Sequence, residues 1–274
     1  MSRKQRMQAL LFTCLLVMSV LNLTPVAWGF LTSIREPVDA FAVPPKLIFE
    51  PTFRFHREVW IDRGFWHFLV NTAIISTCAV TISVSIGTMA AYALSRLRSR
   101  LARGLAFGML GMRMFPHILL AIPFFVIAQF VGLIDTYTVM ILAIVALNQP
   151  FTIWLMRSFF EEVPRELYEA AMIDGCSPWQ TFRRVALPVV RPGIWVTTLF
   201  SLLLAYNEFL LALVLTRNGT KTLPVAISEY GAEDISYWSL ASAAAIGIML
   251  PILLFMLFMQ RHLVRGMSAG AVKG

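Results

Sequence analysis

Charge is scarce in this chain. Only 14% of its 274 residues are Asp, Glu, Lys or Arg, whereas 58% are hydrophobic. An ordinary soluble domain carries about 25% charged residues, so this composition excludes that class and points to lipid as the solvent. Cysteine is scarce too. Cys14, Cys78 and Cys176 have no metal-ligand spacing, which excludes a zinc site and a disulfide framework. No G-x-x-x-x-G-K-[ST] run is present, so the chain cannot build its own phosphate cradle. Its 15 acidic residues stand against 23 basic ones, a formal charge of +8. Nucleic-acid binding would gather the basic residues on one solvated face. Here they sit in the gaps between apolar runs, which is the membrane pattern. A good small-residue cleavage site is also missing around Thr24-Pro25-Val26-Ala27-Trp28. Arg3, Lys4 and Arg6, followed by the apolar run 9–31, therefore read as a retained span rather than a signal peptide.

What the chain has in quantity is apolar length. Residues 9–31, 69–95, 104–131, 137–157, 194–216 and 239–260 form six runs. Each suffices for the roughly 20 residues that cross about 30 Å of hydrocarbon. Lipid cannot satisfy exposed backbone polar groups, so helices are expected. The fold class is an all-α polytopic membrane protein with six transmembrane helices. Residues 1–68 would hold the first span and an outer loop. Residues 69–274 would form the core, with a polar insert near 158–192 and a tail at 261–274. An even number of spans puts both ends on one side. That side would carry 15 basic residues against 7 on the other, with Arg113 inside a span. The rule that basic loops stay inside then makes both termini, and the insert, cytoplasmic. Ala79, Ser83, Gly87 and Ala91 form a small-residue stripe, Gly104 and Gly108 a GxxxG, and Ala241, Ala243, Ala244, Ala245 and Gly247 a third small set. Such residues read as helix packing, without chemistry.

The insert contains EAAMIDGCSPWQTFRRVALP, residues 169–188. Pro164 suits the first turn of a helix, and Gly175 is a natural stop for one spanning 165–174. Ser177, Pro178 and Gln180 restart a helix with a cap, a first-position proline and a capping box. It is expected to run to about Ala186, with Leu187-Pro188 ending it. On the first helix Leu167, Ala170, Ala171 and Ile173 make an apolar side, and Glu166, Glu169 and Asp174 a polar one. A helix lying on the bilayer usually carries Lys and Arg on its polar face. This one carries acids, which favours a protein partner.

Glu169-Ala170-Ala171, then Gly175, Val185 and Leu187-Pro188 at their spacing, resemble the EAA motif of ABC-importer permeases, with Val185 where Ile is usual. "NQPFTIWLMRSFFEEVPRELYEAAMIDG", "MRMFPHILLAIPFF", "VGLIDT", "NEFLLALVLT" and the terminal "GAVKG" are similar to the carbohydrate-importer, maltose-permease-like branch; the EAA block is the specific signal, and the others add weight by their order along the chain. The likeness covers nearly all of the chain from Asn71 onward. Tyr206 departs from it, standing where that branch usually has Trp. The resemblance implies that Glu169, Ala170, Ala171, Asp174, Gly175, Leu187 and Pro188 couple the chain to an ATPase. It implies two copies of a separate cytoplasmic ABC ATPase, which bind the ATP, so that this chain needs no cofactor and is not an enzyme. It further implies a second permease subunit forming a heterodimer, and a periplasmic or lipid-anchored substrate-binding protein that meets the outer loop 217–238. The tail residues Gly270, Ala271, Val272, Lys273 and Gly274 would insert between the ATPase subunits. The setting would be a prokaryotic cytoplasmic membrane, and the cargo a carbohydrate moved by alternating access.

Polar residues inside apolar runs are costly and face a bundle interior or a wet cavity. Arg113, His117, Asn148, Gln149, Tyr206, Asn207 and Glu208 are the candidates for a substrate path or gate, with Gln129 a further polar residue in a span. Two readings stand: contact with sugar hydroxyls, or interhelical pairing such as Arg113 with Glu208. On straight helices Arg113 would lie about 14 Å deep and Glu208 about 21 Å. Kinks at Pro116, Pro123 and Pro150 could shape a gate. A self-contained secondary transporter or channel would explain the spans but not the insert. An ABC importer for a non-sugar solute is the other alternative.

Overall fold

The computed structural model describes residues 3–40, 42–46, 48–97, 99–231 and 237–271. These fall into two compact units. One runs to His67 and includes Ala226–Pro251; the other comprises Phe68–Val225 and continues from Ile252.

In the first unit, helix α1 (Arg3–Ser33) is about 46 Å long. Its apolar side chains, such as Phe12 and Leu15, are exposed. Next come α2 (Pro37–Ala40) and α3 (Arg54–Arg57), which passes into a π turn, Glu58–Asp62. Just past α1, Arg35 is 1% exposed, its guanidinium 5.2 Å from the Trp28 ring centre and 4.2 Å from that of Phe49. Ring faces offset part of the cost of burying that cation. Ser33 Oγ lies 3.0 Å from His56 Nε2, and burial lowers the His56 pKa. Arg63 is ion-paired to Glu58 at 2.6 Å and lies over the rings of Tyr230 and Tyr237. The Trp60 indole packs against Gly247.

The second unit is built on α4 (Trp66–Arg96), α7 (Tyr137–Glu161) and α11 (Arg191–Tyr206). Ala79, Ser83, Gly87 and Ala91 are all buried on α4. A Cβ on Gly87 would come within 2.5 Å of Thr152 Cγ2 on α7, so the backbones approach as the stripe suggested. Asn148 donates to the Ser201 carbonyl at 3.4 Å, and the hydroxyls of Thr152 and Ser201 lie 3.2 Å apart. These bonds join α7 to α11. Gly104 and Gly108, by contrast, have no neighbour within 4 Å of a would-be Cβ. Among the described residues, that pair makes no such close approach.

Two of the expected spans are broken. The third becomes α5 (Arg100–Arg113) and α6 (His117–Phe130), bent by 90°. Pro116 has no N–H and drives Phe115 away from helical torsions, which explains the break. The fifth stops at Tyr206 and resumes as α12 (Leu210–Leu215). Asn207 Nδ2 donates to the Leu203 carbonyl at 2.8 Å, and Glu208 Oε1 accepts from Leu211 N at 3.0 Å. Polar side chains that bond nearby backbone compete with the helical ladder. The straight-helix depths of Arg113 and Glu208 therefore do not apply. Among the described residues four helices are long and apolar enough to cross a membrane, or up to six if α5 with α6, and Pro178–Val189 with Arg191–Tyr206 across a 75° bend, each make one span.

A polar clasp ties three segments of the second unit together. Asp135, at φ 59°, accepts hydrogen bonds from the N–H groups of Arg217, Gly219 and Thr220 and from the Thr220 hydroxyl, at 2.8–3.0 Å. Asn71 donates to the carbonyls of Gly219 and Lys221 and accepts from the Tyr137 hydroxyl at 2.6 Å. Thr72 Oγ1 accepts from Leu223 N. The stretch expected as a loop at 217–238 contains α13 (Leu223–Gly231). The last helix, α14 (Trp238–Ala271), does not end at residue 260. Residues 261–271, expected as a cytoplasmic tail, continue it, since each further residue adds a bond to a helix already nucleated. Gly270 and Ala271 belong to this helix; Val272, Lys273 and Gly274 lie outside the described residues.

Candidate functional site

The polar insert begins with α8 (Arg165–Ile173). Pro164, at φ −56° and ψ 137°, sits just before it. Asp174 is the C-cap and Gly175 takes φ +82°. The N–H of Cys176 donates to the Ala171 carbonyl at 3.0 Å, and that of Gly175 to Met172 at 3.1 Å. This pair of bonds is the Schellman closure, whose left-handed residue favours glycine. The chain then restarts. Ser177 N donates to Gln180 Oε1 at 2.8 Å and Gln180 N to Ser177 Oγ at 3.3 Å, closing the capping box. From there one helical stretch runs through α9 (Pro178–Thr181), a π turn (Phe182–Ala186) and α10 (Leu187–Val189). Leu187-Pro188 does not end it. The π turn shifts the ladder just before Pro188, where a missing N–H is then tolerated.

The apolar side expected on α8 is divided between the interior and the surface. Tyr168 and Ala171 are buried, whereas Leu167, Ala170 and Ile173 are exposed together with Glu169, Asp174 and Gly175. Ile173 is 86% exposed. Leu187 and Pro188 are half-buried. The outward face of α8 thus mixes apolar and acidic groups at one corner, a surface suited to a protein cleft rather than to anionic headgroups.

The inward face rests on aromatic rings. Tyr92, near the end of α4, lies 5.4 Å from Phe160 of α7, 6.0 Å from Tyr168 of α8 and 5.0 Å from Phe182 of the π turn, between ring centres. Arg96, one turn further on α4, places its guanidinium 4.0 Å above the Tyr168 ring. Burial pushes the Tyr168 hydroxyl pKa up, and Arg96 only partly offsets this. Sequence reasoning missed this group. Tyr92 and Arg96 stand four residues apart, the helical spacing that could have flagged them.

The polar residues of the spans divide. Arg113, His117, Asn148 and Glu208 line one cavity of about 200 Å³. His117 Nδ1 is 3.7 Å from Glu208 Oε2. The Arg113–Glu208 pair named as one possibility is not made. The 90° turn presents His117 to Glu208, and Arg113 lies 4.2 Å over the Phe151 ring instead. Gln149 points to α4, donating to the Ser83 carbonyl at 3.3 Å. Tyr206 is buried and Asn207 is exposed, and neither lines the cavity. The cavity offers guanidinium and imidazole donors, a carboxylate acceptor and an amide beside apolar walls. That set can hydrogen-bond hydroxyl groups. Among the described residues no three His, Cys, Asp or Glu side chains could hold a metal ion, and the three cysteines are free.

Residues 83–269 match the family described as binding-protein-dependent transport system inner membrane component. A probable ABC transporter permease protein, y4oR of Sinorhizobium fredii, is 37% identical over 263 residues, covering 96% of this chain and 94% of the relative. The trehalose transport system permease protein SugB of Mycobacterium tuberculosis is 36% identical over 258 residues, covering 92% and 93%. The fold is similar to a chain of a bacterial ABC transporter involved in the import of the acidic polysaccharide alginate. That likeness has a TM-score of 0.74 and 24% identity, over 95% of this chain and 98% of the other. The two-helix insert, the broken spans and these matches lead to one conclusion: the chain belongs to the family of inner-membrane components of binding-protein-dependent transport systems.

Proposed function

We propose that this chain is one permease subunit of a carbohydrate importer driven by separate ABC ATPase subunits. As a family member it is a multi-pass transport component of the inner membrane, not an enzyme. The observation that carries the reading is the exposed corner of α8, where Glu169, Ala170, Ile173, Asp174 and Gly175 sit at the end of a helix otherwise held by buried rings. Such a corner fits the cleft of a cytoplasmic ATPase, two copies of which would bind ATP. Taking α5 with α6 as one span and α11 with α12 as another gives six, with both termini and the insert cytoplasmic. The exposed Gly104 and Gly108 leave a close-approach face for a second, different permease subunit. The clasped segment 217–223 and α13 would face a periplasmic or lipid-anchored binding protein. Arg113, His117, Asn148 and Glu208 would lie on the path, with Gly270, Ala271, Val272, Lys273 and Gly274 reaching the ATPase pair. The trehalose relative supports a sugar as cargo.

The test has two parts. The chain, expressed with its neighbouring genes, should co-purify with an ABC ATPase. Reconstituted with its binding protein, it should take up labelled sugars and leave amino acids, peptides and phosphate outside. Uptake without an ATPase would restore the secondary-transporter reading; ATP-driven uptake of a non-sugar alone would overturn the cargo.

A further inference from the structure

Docking of α8 on an ATPase would do nothing unless the movement reached the membrane helices. The chain offers several conceivable routes, since the insert is joined covalently to α7 at one end and α11 at the other. The packing singles out α4, to which it has no covalent link. Tyr92 touches rings from three separate elements: Phe160 at the end of α7, Tyr168 on α8 and Phe182 on the π turn. Arg96 covers the Tyr168 face at 4.0 Å. Tyr168 is 1% exposed and Phe182 6% exposed. Close-packed rings transmit displacement rather than absorb it. Above them α4 is an unbroken helix to residue 66, and its buried stripe meets α7 backbone-close at Gly87. A shift of α8 is therefore delivered to a straight rod already fitted against the rest of the second unit.

We propose that Tyr92 and Arg96 are the positioning residues that turn movement of α8 into movement of α4. Tyr92 is the ring on which both halves of the insert and the end of α7 bear. Arg96 fixes the tilt of Tyr168, and with it that of α8, through a cation–ring contact. This rests on the importer reading above and adds the element through which that importer is driven.

The experiment uses the complete importer, with its ATPase and binding protein, in liposomes. ATP hydrolysis and solute uptake are measured together for Tyr92→Phe, Tyr92→Leu and Arg96→Ala. Tyr92→Phe keeps the ring and should couple normally. Tyr92→Leu and Arg96→Ala should keep hydrolysis within about twofold while solute moved per ATP falls roughly five- to tenfold. Arg96→Ala removes no buried apolar group, so it reads out even where Tyr92→Leu disturbs folding. A residue that only stabilised the fold would lower both activities together. Unchanged coupling in Arg96→Ala, or a parallel fall of hydrolysis and uptake, overturns the proposal. A wild-type chain that recruits no ATPase overturns the importer reading first and the proposal with it.

Discussion

Asp135 shows how much one side chain can hold. Its carboxylate accepts four hydrogen bonds from the segment 217–220, and its own N–H donates to the Leu215 carbonyl at 3.0 Å. Partial burial alone would push its pKa up, but the bonds outweigh that and hold it below the usual aspartate value. A lowered folded-state pKa stabilises the fold above the unfolded value, and this contribution is lost as pH falls through the folded one. Asn in its place tolerates the same left-handed torsions but has one acceptor oxygen instead of two. Asp135→Asn should therefore cost about 1–3 kcal/mol. Thermal unfolding of the detergent-solubilised protein should show the gap at neutral pH and see it shrink towards pH 3. An equal gap at every pH would contradict the linkage. Gly175 is a second such residue. Nothing lies within 4 Å of a would-be Cβ, so its φ of +82° is the whole constraint. Gly175→Leu should lose about 1–2 kcal/mol of local stability and most uptake. Gly175→Asn, at home in that region, should retain more. Equal uptake in the two variants would show that backbone conformation is not what matters there.

Among elements, α4 and α7 were the most legible. Their apolar runs are long, and the four-residue spacing of Ala79, Ser83, Gly87 and Ala91 marked the contact face directly. A Cβ at Gly87 would push into Thr152, so Gly87→Ala should destabilise by about 1–3 kcal/mol through overpacking. Thr152→Ser should restore most of that loss, because it removes the facing methyl and keeps the hydroxyl beside Ser201. Failure of the double variant to recover stability would remove Thr152 as the cause. The breaks were less legible. Pro116 signalled a kink, but nothing local fixes its size at 90°. The α11–α12 break has no proline; it depends on where the side chains of Asn207 and Glu208 find backbone partners, which is a matter of tertiary setting. The anchoring of α8 was illegible for a similar reason. Apolar spacing grouped Leu167, Ala170, Ala171 and Ile173 on one side, but the anchor is Tyr168, whose ring is claimed by Tyr92 and Arg96, residues more than seventy positions earlier. At the cavity, residue type announced Arg113, His117, Asn148 and Glu208. Only packing separated them from Gln149, whose amide is used against α4.

At the scale of the whole molecule, the length of α14 is the telling quantity. Its 34 residues span about 51 Å, against about 30 Å of hydrocarbon. The apolar part is Trp238–Gln260, 23 residues, so residues 261–271 carry the helix on by about 16 Å. A helix that leaves the bilayer by that distance can reach a protein seated beneath the membrane. The composition of its end, with Gly270 and Ala271 followed by Val272, Lys273 and Gly274, suits a narrow crevice because it brings little side-chain bulk. The apolar run at 239–260 is left intact by a truncation there, so insertion should not suffer. Deleting the last five residues should lower uptake severalfold, or raise the ATP hydrolysed per solute moved, while the amount of subunit in the membrane stays level. Coupled transport and hydrolysis assays beside a membrane-fraction blot would measure all three. Transport and hydrolysis equal to those of the intact importer would make the projecting helix a plain end, and would leave α8 as the chain's single proposed contact with the ATPase.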